Sequence, residues 1–160
     1  MTAIIPKRVI LDTNVCLDLF VFRDQRWLPL LNAMQDGSIK ALTRSDCREE
    51  WLAVLKYPHL PVAADQYLPL EQEFDAYIEC VSPPEKSTLR LPICSDRDDQ
   101  KFLEIARDAG AEVLVTKDKA LLKLARKTAN AGFYQITTPE KFILSLTPNG
   151  AGTATTSTKA

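Results

Sequence analysis

A single histidine, five glycines and four cysteines are spread over 160 residues, and the formal net charge is only -1. Each scarcity removes a class of chemistry. His59 lies between Pro58 and Pro61, in a segment that reads as a loop, so a Ser–His or Cys–His relay has one poorly placed base to draw on. Cys16, Cys47, Cys80 and Cys94 contain no C-x-x-C pair, and with one histidine they do not make a structural zinc site. They read instead as free thiols of a reducing, cytoplasmic compartment. No Gly-x-Ser-x-Gly and no glycine-rich phosphate loop occur, which excludes a nucleotide-binding P-loop by motif. No apolar run approaches the roughly 18 residues of a membrane span, and the first eight residues are too short for a secretory hydrophobic region. The near-zero charge gives no general grip on nucleic acid, so any basic surface has to be local.

What the chain does have is an ordinary globular composition, 46% hydrophobic and 26% charged, at a length that suggests one domain. Val9–Leu11 is a short apolar run and reads as a buried strand. A helical period follows over Val15–Phe22 and again over Trp27–Met34, where Asp36-Gly37 stops it. Ile39–Thr43 is a second strand. Ser45 or Asp46 opens the next helix, with Glu49 spaced for a capping box to Asp46 and with Trp51, Val54 and Leu55 on its apolar side. Ala63–Cys80 places Leu70, Phe74, Tyr77 and Ile78 on one helix face, with Pro69 breaking its first part. Ser82–Ser95 carries three prolines and reads as a loop. Asp96–Ala109 is a helix closed by Gly110, Glu112–Thr116 a β-branched strand, Lys119–Lys127 a helix, Phe133–Ile136 a last strand, and Thr138-Pro139 opens a short final helix. Residues 147–160 have almost no apolar bulk and read as a disordered tail. Strands alternating with helices predict an α/β domain over residues 8–146, a central, mostly parallel sheet with helices on both faces.

In such sheets ligands lie outside the carboxyl ends of the strands. Asp12 ends the first strand directly, and Asp118 follows the Glu112–Thr116 strand after one residue. A carboxylate there is costly unless paired or metal-bound. Each also precedes a helix, where an aspartate is an ordinary N-cap, so either acid alone fits both readings. Glu50 lies on the flank of its helix's buried face, and periodicity alone reads it as a solvated glutamate. Asp96, Asp98 and Asp99 crowd one first turn, complementing the helix dipole but exceeding what a cap needs. Several carboxylates at sheet mouths suit hard cations such as Mg²⁺ and Mn²⁺, which activate water for phosphodiester hydrolysis without a side-chain nucleophile. Lys117, Lys119, Lys123, Arg126 and Lys127 accompany one acid across their stretch. Lys117 and Lys119 flank Asp118 and are the better phosphate ligands, Lys123 and Lys127 fit a solvated helix face, and Arg23 and Arg26 extend the patch.

The segments RVILDTNV, SDCREEWLAVLKYP and SDRDDQKFLEIARDAGAEVLVTKDKALL together resemble the ordered acidic blocks of PIN domains, and TTPEKFIL resembles the closing helix of a subgroup described as toxins of toxin–antitoxin pairs. The resemblance spans roughly residues 8–146. It implies a three-layer α/β sandwich and an Mg²⁺- or Mn²⁺-dependent endoribonuclease. By position, Asp12, Glu50 and Asp99 match the acids that hold the metal, Asp118 the fourth acid and Thr116 the hydroxyl before it. Asn14 is then a polar helper, and Asp96 supports or substitutes for Asp99. Toxins of this kind are covered by a small antitoxin and often dimerise, and Phe20, Phe22 and Trp27 offer apolar surface for such contacts as readily as core packing. Three other functions compete: a DNA-directed nuclease, a non-catalytic RNA- or protein-binding module, and an aspartyl-phosphate phosphatase. Asn14 stands where the last would want a second aspartate.

Overall fold

A computed structural model describes residues 6–83 and 89–146; the expected disordered tail, residues 147–160, lies outside the described residues. Five parallel strands form one sheet in the order β3-β2-β1-β4-β5. They are β1 (Lys7–Leu11), β2 (Ile39–Thr43), β3 (Ile78–Cys80), β4 (Val113–Val115) and β5 (Gln135–Thr137). The chain walks outward from β1 to β3, then returns to the other side of β1 for β4 and β5. The strand order therefore reverses between β1 and β4, where open α/β sheets leave a crevice.

The central strands are apolar over their buried stretches, Val9–Leu11, Ala41–Leu42 and Val113–Val115, because helices cover both faces there. On one side Val9, Leu11, Ala41, Val113 and Val115 pack against α1 (Thr13–Phe20), α2 (Leu28–Asp36), α3 (Ser45–Val54), α4 (Tyr67–Tyr77) and α8 (Pro139–Leu146). On the other, Ile10, Leu42 and Leu114 pack against α5 (Gln100–Asp108), α6 (Lys119–Leu122) and the start of α7 (Ala125–Asn130). The first layer is built on aromatic rings. Trp51 of α3 stacks on Phe74 of α4 at 5.3 Å between centroids, and Phe20 of α1 meets Trp51 edge-on at 5.9 Å. This fixes α3, the carrier of Glu50, against α1, which begins at Asp12.

Several elements differ from the sequence reading. The end of the expected Ala63–Cys80 helix is strand β3, because Ile78, Glu79 and Cys80 pair with Ala41, Leu42 and Thr43, a long-range ladder that overrides local period. Lys119–Lys127 is two short helices broken at Lys123 and Leu124. The first turn of the Asp96–Ala109 helix is a 3₁₀ turn, Arg97–Asp99. The capping box between Asp46 and Glu49 is replaced by another arrangement: the Asp46 carboxylate accepts from the Cys47 amide at 2.9 Å and pairs with Arg44 at 2.8 Å, leaving Glu49 exposed. Phe20 and Trp27 are core residues, and only Phe22 of that trio is exposed. Gly37 closes α2 at φ 84°, a conformation that costs a residue with a Cβ. The four cysteines are unpaired thiols, and among the described residues no helix is long and apolar enough to cross a membrane.

Trp51 is 1% exposed and Phe22 51%. Trp51→Ala is expected to cost about 3–5 kcal/mol in urea unfolding, and Phe22→Ala to stay within about 0.5 kcal/mol.

Candidate metal centre

The site follows from the register of the sheet. Leu11 pairs with Val115, so the next residues, Asp12 and Thr116, leave the sheet side by side at the point where strand order reverses. The Asp12 amide donates to the Val115 carbonyl at 3.0 Å, continuing the ladder by one step. Both side chains are buried, Asp12 at 3% exposure and Thr116 fully. The Asp12 carboxylate therefore needs internal partners. Its Oδ1 accepts from the Thr13 amide at 2.6 Å, which is the helix cap of α1, and its Oδ2 accepts from the Thr116 hydroxyl at 2.7 Å. The cap reading and the site reading are both satisfied, one oxygen each.

Thr116 and Thr13 then spread the site to the other acids. Thr116 Oγ1 also accepts from the Asp118 amide at 2.9 Å, fixing the loop in which Asp118 caps α6 through the Ala120 amide at 2.8 Å. The Thr13 hydroxyl donates to Glu50 Oε2 at 2.5 Å. Asp96 caps the 3₁₀ turn through the Asp98 amide at 3.0 Å, and that turn carries Asp99 inward, to 8% exposure. One carboxylate oxygen from each of Asp96, Asp99 and Asp118 lies within 4.8 Å of the others. Asp98 is exposed and outside this triad. Asn14 is exposed on the first turn of α1, and it is Thr13 that links Asp12 to Glu50.

The electrostatics are unfavourable in the absence of a cation. Burial raises the Asp12 pKa to about 6, with Glu50 and Asp118 adding to the rise against the lowering effect of the Thr116 and Thr13 hydrogen bonds. Burial, the facing Asp118 carboxylate, and the charges of Asp12 and Asp96 hold Asp99 well above the ordinary carboxylate range. Asp99 Oδ2 is buried with no hydrogen-bond partner. An orphaned carboxylate oxygen costs free energy unless something outside the protein satisfies it. A divalent cation of the hard, oxygen-seeking type fits: the donors are carboxylate oxygens, and they converge on one point.

The basic residues separate into two groups. Arg23 is held by Glu73 at 2.6 Å and Arg26 by Asp24 at 2.7 Å, so neither extends a free patch. Lys117 is tied to Asp18 at 2.5 Å. Lys119, Lys123, Arg126 and Lys127 are exposed along α6, which Asp118 caps, the break after it, and α7, and they make no ion pair among the described residues. The residue that sequence reasoning missed is Lys101. Its ammonium lies 2.6 Å from Glu50 Oε1, a juxtaposition of α5 with α3 that no local pattern announces.

A family model described as PIN domain matches residues 8–120, which contain all five acids and both threonines of the site. No curated protein matches the chain.

Because Asp12 and Asp99 bind protons more tightly folded than unfolded, their contribution to stability is complete below the ordinary carboxylate range. It is lost as pH rises through about 6 for Asp12 and higher for Asp99. The depressed carboxylates, such as Asp36 and Asp46, act only at lower pH. In chelator, the thermal midpoint is expected to fall by roughly 3–6 °C between about pH 5 and about pH 8, and millimolar Mn²⁺ to remove that fall. A midpoint that rises over this range in chelator contradicts the account of the site.

Proposed function

The chain belongs to the PIN-domain family, a class of metal-dependent nucleases, and from that premise we propose that it is an Mg²⁺- or Mn²⁺-dependent endoribonuclease, the toxin of a toxin–antitoxin pair. The observation that carries the nuclease reading is the convergence of the Asp96, Asp99 and Asp118 carboxylates, with one buried Asp99 oxygen left without a hydrogen-bond partner.

In this reading Asp12, Glu50, Asp99 and Asp118 hold the cation, and Asp96, whose carboxylate converges with those of Asp99 and Asp118, supports them. When bound, the cation supplies an activated water and stabilises the leaving oxygen of the phosphodiester. The protein's own part is positional. Thr116 holds one oxygen of Asp12 and Thr13 holds one oxygen of Glu50, each through its hydroxyl. Neither is free to rotate, so the carboxylates meet the substrate already oriented and with little reorganisation left to perform. No side-chain nucleophile is required. His59, exposed against Tyr57 beyond the far end of α3, has no place in the scheme.

Lys119, Lys123, Arg126 and Lys127, all exposed and following Asp118 in the chain, are the phosphate-binding side chains in this reading. Lys117 contributes through Asp18, as a brace for the loop. The site's acids repel a polyanion, so the basic track has to supply the approach, and its strength has to depend on salt. Exposed Phe22, Leu28 and Leu144 give the side carrying α2 and α8 an apolar character that suits an antitoxin or a second copy of the chain.

The test is cleavage of labelled single-stranded RNA and matched DNA with Mn²⁺, with Mg²⁺ and with chelator. Metal-dependent cutting of RNA is expected. Asp12→Asn and Asp99→Asn are expected to lower it by at least about a hundredfold, the scale on which a preorganised electrostatic partner acts, while circular dichroism stays native. Preferential cutting of DNA moves the reading to a DNA-directed nuclease, and a folded, fully active Asp12→Asn protein overturns it. Lys119→Ala with Lys123→Ala is expected to weaken RNA binding and flatten its salt dependence by about one unit of log–log slope per lost contact.

A further inference from the structure

Among the described residues, Glu50 is the one acid of the site with a cation already on it. Its two oxygens are both engaged: Oε2 accepts from the Thr13 hydroxyl at 2.5 Å, and Oε1 faces the Lys101 ammonium at 2.6 Å. The lysine is itself anchored. It projects from the first turn of α5, its ammonium donates to the Asp98 carbonyl, and it lies 5.4 Å from the centre of the Phe102 ring. The pair is also well sheltered, with side-chain exposures of 19% and 28%, against 51% and 54% for the surface pair Lys40–Glu79. Sheltered, hydrogen-bonded pairs are screened less than surface ones and couple more strongly.

This arrangement conflicts with a divalent ion at the neighbouring acids. An ammonium and a divalent cation repel, and one carboxylate oxygen cannot serve both at full strength. We propose that Lys101 is a positioning residue that competes with the divalent cation for Glu50, holding that carboxylate in place in the metal-free protein and lowering the site's metal affinity until it is displaced. The inference rests on the reading of the acids as a metal-dependent nuclease site and adds the device that sets its affinity. The apparent affinity of a site that must first break an internal pair is reduced by the fraction of molecules in which the pair is open. The consequence is a site that stays ordered without metal, through the α3–α5 contact, and that fills only when the cation concentration exceeds the threshold set by the pair.

The experiment is calorimetric titration with Mn²⁺ alone, at fixed ionic strength, of the full chain and its variants, each first checked for a cooperative thermal transition in chelator. Lys101→Met, which keeps the stem over Phe102, is expected to bind Mn²⁺ about tenfold more tightly, the size of a typical coupling between sites. Lys101→Gln serves the same purpose if the methionine variant does not fold. Lys101→Arg, which keeps the charge, is expected to stay near wild type. In a Glu50→Gln background the further change Lys101→Met is expected to alter the affinity little, because the competition is for Glu50. Unchanged or weaker binding by Lys101→Met overturns the proposal. So does an equal tightening in the Glu50→Gln background, which reduces the effect to overall charge. Mn²⁺ binding that Asp99→Asn abolishes but Lys101→Met leaves alone overturns this proposal and leaves the nuclease reading intact; a wild-type chain that binds no Mn²⁺ overturns both.

Discussion

A carboxylate placed at the end of a buried central strand has no water to solvate it and must be compensated from within. Asp12 is that carboxylate, and the rest of the site is arranged around its compensation. Thr116 satisfies one oxygen because the parallel register of β1 with β4 brings it alongside. Thr13 satisfies the other because it opens α1. Each threonine then reaches a further acid, Thr116 through the Asp118 amide and Thr13 through Glu50. The acid network is thus a consequence of one strand pairing and one helix cap, and a change in either would scatter carboxylates that are far apart in sequence.

The same arrangement sets stability against function. Burial holds Asp12 and Asp99 above the ordinary carboxylate range, and Asp99 Oδ2 has no internal partner. An unsatisfied buried carboxyl of this kind is costly whether it keeps its proton or loses it, and the hydrophobic layers have to offset it. The aromatic stack of Trp51, Phe74 and Phe20 lies directly behind the helices that carry Glu50 and Asp12. Rigid packing there keeps the acids from relaxing apart, which is the condition for a cation to find them already converged.

Much of the fold was legible in the chain because its signals are local and strong: the apolar runs that became β1, β2 and β4, the helical period of Phe102, Leu103 and Ala106, and Gly37 as a stop. β3 was not, since Ile78 continues a helical pattern and becomes a strand only through pairing with Ala41. In the site, Asp12 and Asp118 are placed by their positions at strand ends, whereas periodicity alone makes Glu50 a surface glutamate and only the resemblance of its block to PIN domains marks it. Lys101 was invisible, because its partner lies on another helix. Arg23 and Arg26 looked like free cations in one dimension, and in three they are spent on Glu73 and Asp24.

The central claim is that the switch point between β1 and β4 gathers carboxylates into a divalent-cation site. It is tested most directly by a crystal structure of the protein grown with Mn²⁺, located by its anomalous scattering. The account predicts a peak between Asp96, Asp99 and Asp118, with Asp99 Oδ2 among its ligands. Full Mn²⁺ exposure with no peak there, or a peak held by other residues while this triad stays empty, would contradict it.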